Sequence, residues 1–295
     1  MQDKLLFRGI ATALITPFEG GRVDTTAFRR LVQEQIRGGI HALVVAGTTG
    51  EASTLTEYER ESLLDAALTE AEGRLPVIMG TGANDTAKAV SFTRRAATLG
   101  ANGALVVTPY YNKGTKEGVR SHFLHIAEEG GLPLVLYNVP SRTGVSLSLS
   151  DYEALLPHPQ IVGVKEADAD MEKFAHLCLL ASGHAHVYTG NDGLLLPSLS
   201  VGGDGCISVV SNLLPKDSAN IFELYEKGEG ENARVLYQKM LPLMAALFRE
   251  TNPAPVKYLM ALLGHGDGSL RLPLTAVSSE TEEALLSAFA HWQNG

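Results

Sequence analysis

Cysteine is scarce in this chain, and positive charge is nowhere concentrated. Both absences narrow its function. Cys178 and Cys206 are the only cysteines in 295 residues. They form no close pair and no metal-ligand spacing, so they read as buried thiols of a reducing compartment. Lys and Arg number 24 against 33 Asp and Glu, a formal charge of −9 with no basic cluster. This balance argues against a nucleic-acid or anionic-membrane surface. No run reaches the roughly 18 consecutive apolar residues of a membrane span. The opening MQDKLLFRGI has neither a long apolar stretch nor a cleavage-like site, so no leader peptide is expected. Phosphate-loop and dinucleotide fingerprints are absent. The nine histidines, among them His122/His125 and His184/His186, lie on expected helix or loop stretches without a matching carboxylate set. They read as solvated or structural, so neither a metal nor another cofactor is expected. A soluble cytoplasmic protein working on small molecules fits these exclusions.

What is present is a repeating architecture. Hydrophobic residues make up 45% of the chain, enough for one large core or a core with an appendage. Thirty glycines among short apolar runs suit tight strand-to-helix turns. Strands are expected at Gly9–Thr16, Ala42–Gly47, Pro76–Gly80, Ala104–Pro109, Leu134–Asn138, Ile161–Lys165, His186–Thr189 and Cys206–Val210. Helical patterns lie between them at Thr25–Arg37, Thr56–Ala71, Thr86–Leu99, Lys116–Glu129 and Met171–Leu180. Eight strands alternating with helices predict a closed (β/α)8 TIM barrel of the α/β class over residues 1–214. The competing open doubly wound sheet usually has fewer strands and a glycine-rich loop after the first, whereas Thr16-Pro17-Phe18 follows here. From Pro215 on no strand pattern remains. Helices at Ala219–Lys227, Asn232–Glu250, Pro255–Leu263 and Thr281–Gln293 form an expected all-helical domain over 215–295.

Barrel chemistry sits at the C-terminal ends of strands. Lys165 closes the run Ile161-Val162-Gly163-Val164, and alternation puts Ile161, Gly163 and Lys165 on one face. If that face is the interior, the amine stands above packed aliphatics, where desolvation disfavours the ammonium form. A neutral amine attacks a ketone to form an imine, whose protonated form is an electron sink. A lysine snorkelling outward, or one paired with Glu166, would give the same pattern. Tyr137 ends the neighbouring strand and Tyr111 lies one strand further on. With the Thr48 hydroxyl they would supply a proton path, though buried tyrosines are also ordinary core residues. In extended backbone Tyr110 and Tyr111 point to opposite sides. Gly47-Thr48-Thr49-Gly50 offers backbone N–H groups and hydroxyls to a carboxylate, or is a loop with threonine capping. Arg142, in a loop bounded by proline and glycine, is suited to clamp a second carboxylate, or is a surface arginine.

These residues lie in segments that resemble the dihydrodipicolinate synthase family, part of the superfamily that includes N-acetylneuraminate lyase. The segments are GTTGE at 47–51, TPYYN at 108–112, YNVPSRTG at 137–144, GVKEA at 163–167, GCISVVSN at 205–212, NPAPVK at 252–257 and LRLPL at 270–274, all in family order from about Phe7 to Leu274. The resemblance implies that Lys165 forms an imine with pyruvate, that Tyr137 is the general acid/base, and that Thr48 and Tyr111 complete the relay. It implies that Thr49 holds the pyruvate carboxylate, that Arg142 binds aspartate semialdehyde, and that Gly190 and Ile207 line the site. It also implies a homodimer or homotetramer in which Tyr111 crosses into the neighbouring subunit's site. Neuraminate lyases typically lack the arginine corresponding to Arg142, which favours condensation with a small carboxylated aldehyde over cleavage of a sugar acid or hydroxy-oxoglutarate adduct. One feature departs from lysine-inhibited members. Asn84 and Tyr110 match their inhibitor site, but Ala52, Glu57 and Arg60 replace a Ser and two His, and Lys88 replaces the Glu that meets the inhibitor's ammonium. A cation there repels lysine, so weak or absent feedback is expected.

Overall fold

The computed structural model describes residues 6–294. The leader reading falls partly on residues 1–5, outside the described residues. Eight short strands form a closed barrel: β1 Gly9–Ala13, β2 Ala42–Val45, β3 Val77–Gly80, β4 Gly103–Val107, β5 Leu134–Asn138, β6 Ile161–Glu166, β7 His186–Thr189 and β8 Gly205–Ser208. Each neighbours the next in chain order and the last neighbours the first. This is the (β/α)8 barrel that the alternating pattern predicts. The strands are β-branched and short, and almost every residue in them is buried, as parallel strands covered on both faces require.

The outer helices begin where the sequence offers an acceptor side chain. Asp24 caps α1 (Thr25–Arg37) at Ala27 N, Asp85 caps α3 (Thr86–Leu99) at Lys88 N, and Thr115 caps α4 (Lys116–Glu129) at Gly118 N. Thr56 and Glu59 form a reciprocal capping box on α2 (Glu57–Ala71). Two short helices, α5 (Pro140–Thr143) and α6 (Leu149–Leu155), follow β5. Then come α7 (Met171–Ala181), α8 (Leu195–Ser200), α9 (Pro215–Glu226), α10 (Gly230–Ala246), α11 (Ala254–Leu262) and α12 (Ser279–Asn294). The helix α9 starts at Pro215, earlier than expected, because proline at the first helical position sacrifices no intrahelical bond.

Several strand ends differ from the sequence pattern. β1 stops at Ala13, and Ile15 N donates to Asn212 Oδ1 at 3.1 Å. β8 stops at Ser208, where Ser211 N turns back to Ser208 Oγ at 3.0 Å. β6 runs one residue further than expected, to Glu166, which is itself buried. A small hairpin of Phe18–Glu19 and Arg22–Val23, with α5, α6 and α8, has no counterpart in the sequence reading. These pieces are too short for a hydrophobic period to reveal them.

The chain forms two compact units. One comprises the segment up to Arg8 with Pro76–Ile207 and carries β3 to β7 and most of β8. The other comprises Gly9–Leu75 with Ser208–Gly295 and carries β1, β2 and the C-terminal helices. Within the second unit Gln35 of α1 accepts from Thr12 Oγ1 at 2.6 Å and donates to Asn212 O at 3.3 Å, a buried polar seam. Among the described residues, no helix is long and apolar enough to cross a membrane.

Candidate active site

In the first unit, β5 and β6 set the centre of the site. The register shifts between Leu134 and Val135, so Ile161 pairs with Leu134 while Gly163 pairs with Val135 and Lys165 with Tyr137. Gly163 and Lys165 therefore share the Val135–Tyr137 face, while Ile161 pairs with Leu134 on the other side of the shift. A side chain at Gly163 would meet Tyr188 Cε2 and Val135 Cγ2, both at 3.2 Å, so that face is packed by side chains of the two neighbouring strands. The layer beneath Lys165 is thus partly aromatic rather than wholly aliphatic. Tyr188 stacks on Phe7 with ring centroids 4.2 Å apart, and its hydroxyl donates to Phe7 O at 2.7 Å.

Lys165 is 6% exposed and Tyr137 7%. The Lys165 Nζ lies 4.3 Å from the centroid of the Tyr137 ring. Gly190, after β7, leaves the space that the lysine occupies: a Cβ there would lie 2.8 Å from Lys165 Cε and 2.8 Å from Ala167 Cβ. Ile207 on β8 is fully buried. Cys206 beside it is fully buried, its Sγ 3.8 Å from Asp192 Oδ1, and burial pushes its thiol well above the usual range.

Glu166 does not pair with Lys165. It turns to the opposite side of the strand, where its carboxylate accepts from Asn138 Nδ2 at 2.8 and 3.0 Å and from the Tyr152 hydroxyl at 2.9 Å. Lys173 Nζ lies 3.2 Å from it. Burial, and then the Glu166 charge, push the Tyr152 hydroxyl well above its ordinary pKa. Asn138 Oδ1 accepts from Leu147 N at 3.0 Å, which closes the loop that carries Arg142. Arg142 itself lies in the last turn of α5 and is exposed.

Tyr111 is held unusually. Asn112 N donates to Tyr110 O at 2.9 Å, and Tyr111 between them has φ 71°. That is the rare, strained γ-turn. Asn112 Nδ2 fastens the turn to Asn84 O at 2.8 Å. The Tyr111 side chain is 90% exposed, and Tyr110 is 38% exposed. Within one chain, therefore, Tyr111 is not packed with Lys165 and Tyr137.

In the second unit, the Gly47–Glu51 loop is tied to the C-terminal helices. Thr49 is buried, and its Oγ1 accepts from Asn252 Nδ2 at 3.0 Å. Thr48 is half-buried. Glu51 has φ 54° and is buried; its Oε1 lies 2.6 Å from Lys257 Nζ and its Oε2 accepts from Arg271 N at 3.0 Å. Lys257 Nζ and the Arg271 guanidinium lie 3.9 and 4.6 Å from the centroid of the Phe18 ring. Burial lowers the Lys257 pKa, and Glu51 opposes that shift. In the sequence Asn252 and Lys257 stand in the NPAPVK segment with no expected role, and Glu166 is expected only as an alternative partner of Lys165. The signal available was a polar residue inside an otherwise apolar motif.

Of the histidines expected to be solvated or structural, His125 and His184 are exposed, while His122 is buried and His186 half-buried. His122 is buried with Nδ1 2.9 Å from Thr86 Oγ1, and burial lowers its pKa to about 4. His186 Nδ1 lies 2.7 Å from Asp204. Among the described residues no group of three or more His, Cys, Asp or Glu is arranged to hold a metal ion.

Comparison with known proteins agrees with the geometry. The model of the dihydrodipicolinate synthetase family matches residues 6–291. A 4-hydroxy-tetrahydrodipicolinate synthase of Thermodesulfovibrio yellowstonii is 44% identical over 95% of this chain and 96% of that one. The crystal structure of dihydrodipicolinate synthase from Thermotoga maritima is similar with a TM-score of 0.96 and 42% identity over 98% of this chain and 99% of that one. The chloride-inhibited dihydrodipicolinate synthase from Acinetobacter baumannii, complexed with pyruvate, is similar at TM-score 0.95 and 39% identity over 98% of this chain and 99% of that one. With the family model spanning nearly its whole length, the chain belongs to the dihydrodipicolinate synthetase family.

Proposed function

We propose that the protein is a cytoplasmic 4-hydroxy-tetrahydrodipicolinate synthase that condenses pyruvate with aspartate semialdehyde in the lysine/diaminopimelate pathway. One observation carries the reading: a buried lysine at a barrel strand end, with its amine 4.3 Å from the ring centre of a buried tyrosine in register on the next strand. The Lys165 amine adds to the pyruvate carbonyl and water leaves, forming an imine. Once protonated, the imine draws electrons from the neighbouring methyl. That methyl loses a proton to give an enamine, whose carbon bonds to the aldehyde carbon. The aldehyde oxygen takes up a proton, and the substrate's own amine attacks the imine carbon, closing the product ring and expelling the Lys165 amine.

Tyr137 is assigned the proton transfers at the imine, with Thr48 and Tyr111 completing the relay. Thr49 is assigned the pyruvate carboxylate. Its oxygen accepts from Asn252, which leaves the Thr49 hydrogen to donate to a ligand. Arg142 is assigned the carboxylate of the aldehyde, and Gly190 and Ile207 the lining. The exposed, strained Tyr111 supports a homodimer or homotetramer in which it enters a neighbouring subunit's site. Residues 1–214 are assigned as the catalytic barrel and 215–295 as a helical domain. Lysine feedback is assigned as weak or absent. Arg60 supports this, because its guanidinium is committed to Ala52 O at 3.1 Å, and so does Lys88, the cation in place of an acid.

Borohydride reduction in the presence of pyruvate tests the imine: a single adduct on Lys165 is expected. Turnover with pyruvate and aspartate semialdehyde, and none with N-acetylneuraminate, is expected in a substrate panel. The opposite preference would replace this reading with the retro-aldol one.

A further inference from the structure

Behind the Lys165–Tyr137 pair stands a carboxylate to which the proposed reaction assigns no part. Glu166 is fully buried. Its four acceptor positions meet four donors: Asn138 Nδ2, the Tyr152 hydroxyl, Asp168 N at 2.9 Å and Lys173 Nζ. The orientation of the Asn138 amide is determined from both ends. Its oxygen accepts from Leu147 N, so its nitrogen must face Glu166. The ladder pairs Asn138 with Glu166 one residue beyond the pairing of Tyr137 with Lys165. Successive strand residues face opposite sides. One pair therefore stands at the reacting face while the other bolts the same two strands together behind it.

We infer that Glu166 is a positioning residue for the reaction. Through Asn138 it holds β5 and β6 in step, so that the Lys165 amine and Tyr137 keep their separation. Through Asn138 and Leu147 it ties the Arg142 turn to the same strand end. The inference rests on the proposed imine chemistry. A displacement of about 1 Å at reacting groups costs up to about 100-fold in rate, so loss of this bond is expected to be read in turnover before it is read in folding. A glutamine at 166 must turn its amide donor toward at least one of the existing donors. The paired exchange Asn138→Asp with Glu166→Gln restores one donor and one acceptor between the strands. It keeps the cluster's net charge and leaves an acceptor for Leu147 N.

The test measures the borohydride-trapping rate with pyruvate, kcat per trapped site, KM for the aldehyde, and the melting temperature, for the wild type and three variants. Glu166→Gln is expected to lower kcat and the trapping rate roughly 10- to 100-fold and to raise the aldehyde KM. The double variant Asn138→Asp/Glu166→Gln is expected to recover both rates to within about threefold. Tyr152→Phe, which removes one donor and leaves the strand-to-strand bond, is expected to fall between. If Glu166→Gln does not fold, the double variant and Tyr152→Phe carry the test. A wild type that traps no pyruvate overturns the proposed function, and the inference with it. A wild type that traps normally while Glu166→Gln keeps its rates, or while a folded double variant shows no recovery, overturns the positioning role alone. A purely structural Glu166 would shift melting temperatures without changing kcat per trapped site.

Discussion

Replacing Gly190 by alanine adds one methyl group at the place where the chain leaves least room for it. The new Cβ would lie 2.8 Å from Lys165 Cε, 2.8 Å from Ala167 Cβ and 3.4 Å from Ala167 Cα. Carbon–carbon contacts are comfortable at about 3.5–4.0 Å, so both 2.8 Å contacts must open by about 1 Å, the Ala167 one through a small shift of backbone. Ala167 is short and rooted in backbone that continues from β6, whereas Lys165 Cε is the far end of a flexible chain, so the lysine yields first. That movement displaces the amine from its position 4.3 Å from the Tyr137 ring centre. Overpacking costs on the order of 1–3 kcal/mol, and the displaced amine is expected to lose roughly 100-fold in imine formation. Gly190 does not have positive φ, so no backbone penalty confuses the result. The assay is the rate of borohydride trapping with pyruvate beside a thermal melt. Gly190→Ala should trap far more slowly than the wild type while melting only a few degrees lower. Trapping at the wild-type rate would refute the view that Gly190 shapes the lysine's seat.

Other perturbations probe other parts of the chain. Lys257→Met leaves Glu51 buried without its ammonium partner, and should cost about 3–5 kcal/mol, read as a lower urea midpoint; an unchanged midpoint would mean the Arg271 N–H contact suffices. His122 has its pKa lowered by burial to about 4, against about 6.5 in an unfolded chain. The unfolded state therefore binds the proton first, and this group lowers stability as pH falls from about 6.5 to about 4, by roughly 3 kcal/mol in total. His122→Leu should remove that part of the pH dependence, measured as the difference between urea midpoints of wild type and variant across this range. Millimolar lysine should leave the steady-state rate unchanged, and potent inhibition would overturn the reading of Ala52, Glu57, Arg60 and Lys88.

The local pattern alone determined a good deal. Leu134–Asn138 and His186–Thr189 are strands with the bounds read from their apolar runs, and α1, α3 and α4 start and stop where caps and the helical period put them. These features are short-range: a cap reaches three residues and a hydrophobic face repeats every few. Lys165 was legible as a buried strand-end amine for the same reason, since it lies near the end of a buried strand in a fold that keeps its chemistry at strand ends. Periodicity says which residues share a face, but not which partner each meets.

Only the tertiary structure decided those partners. The shift between Leu134 and Val135 sets the register in which Tyr137 meets Lys165 and Asn138 meets Glu166. Glu166 takes Asn138, Tyr152 and Lys173 instead of its neighbour, because the next residue of a strand faces the other side. Thr49 and Glu51 are held by Asn252 and Lys257, more than 200 residues away in the chain. Bonds over such separations depend on how whole helices and strands pack, and no local period encodes them.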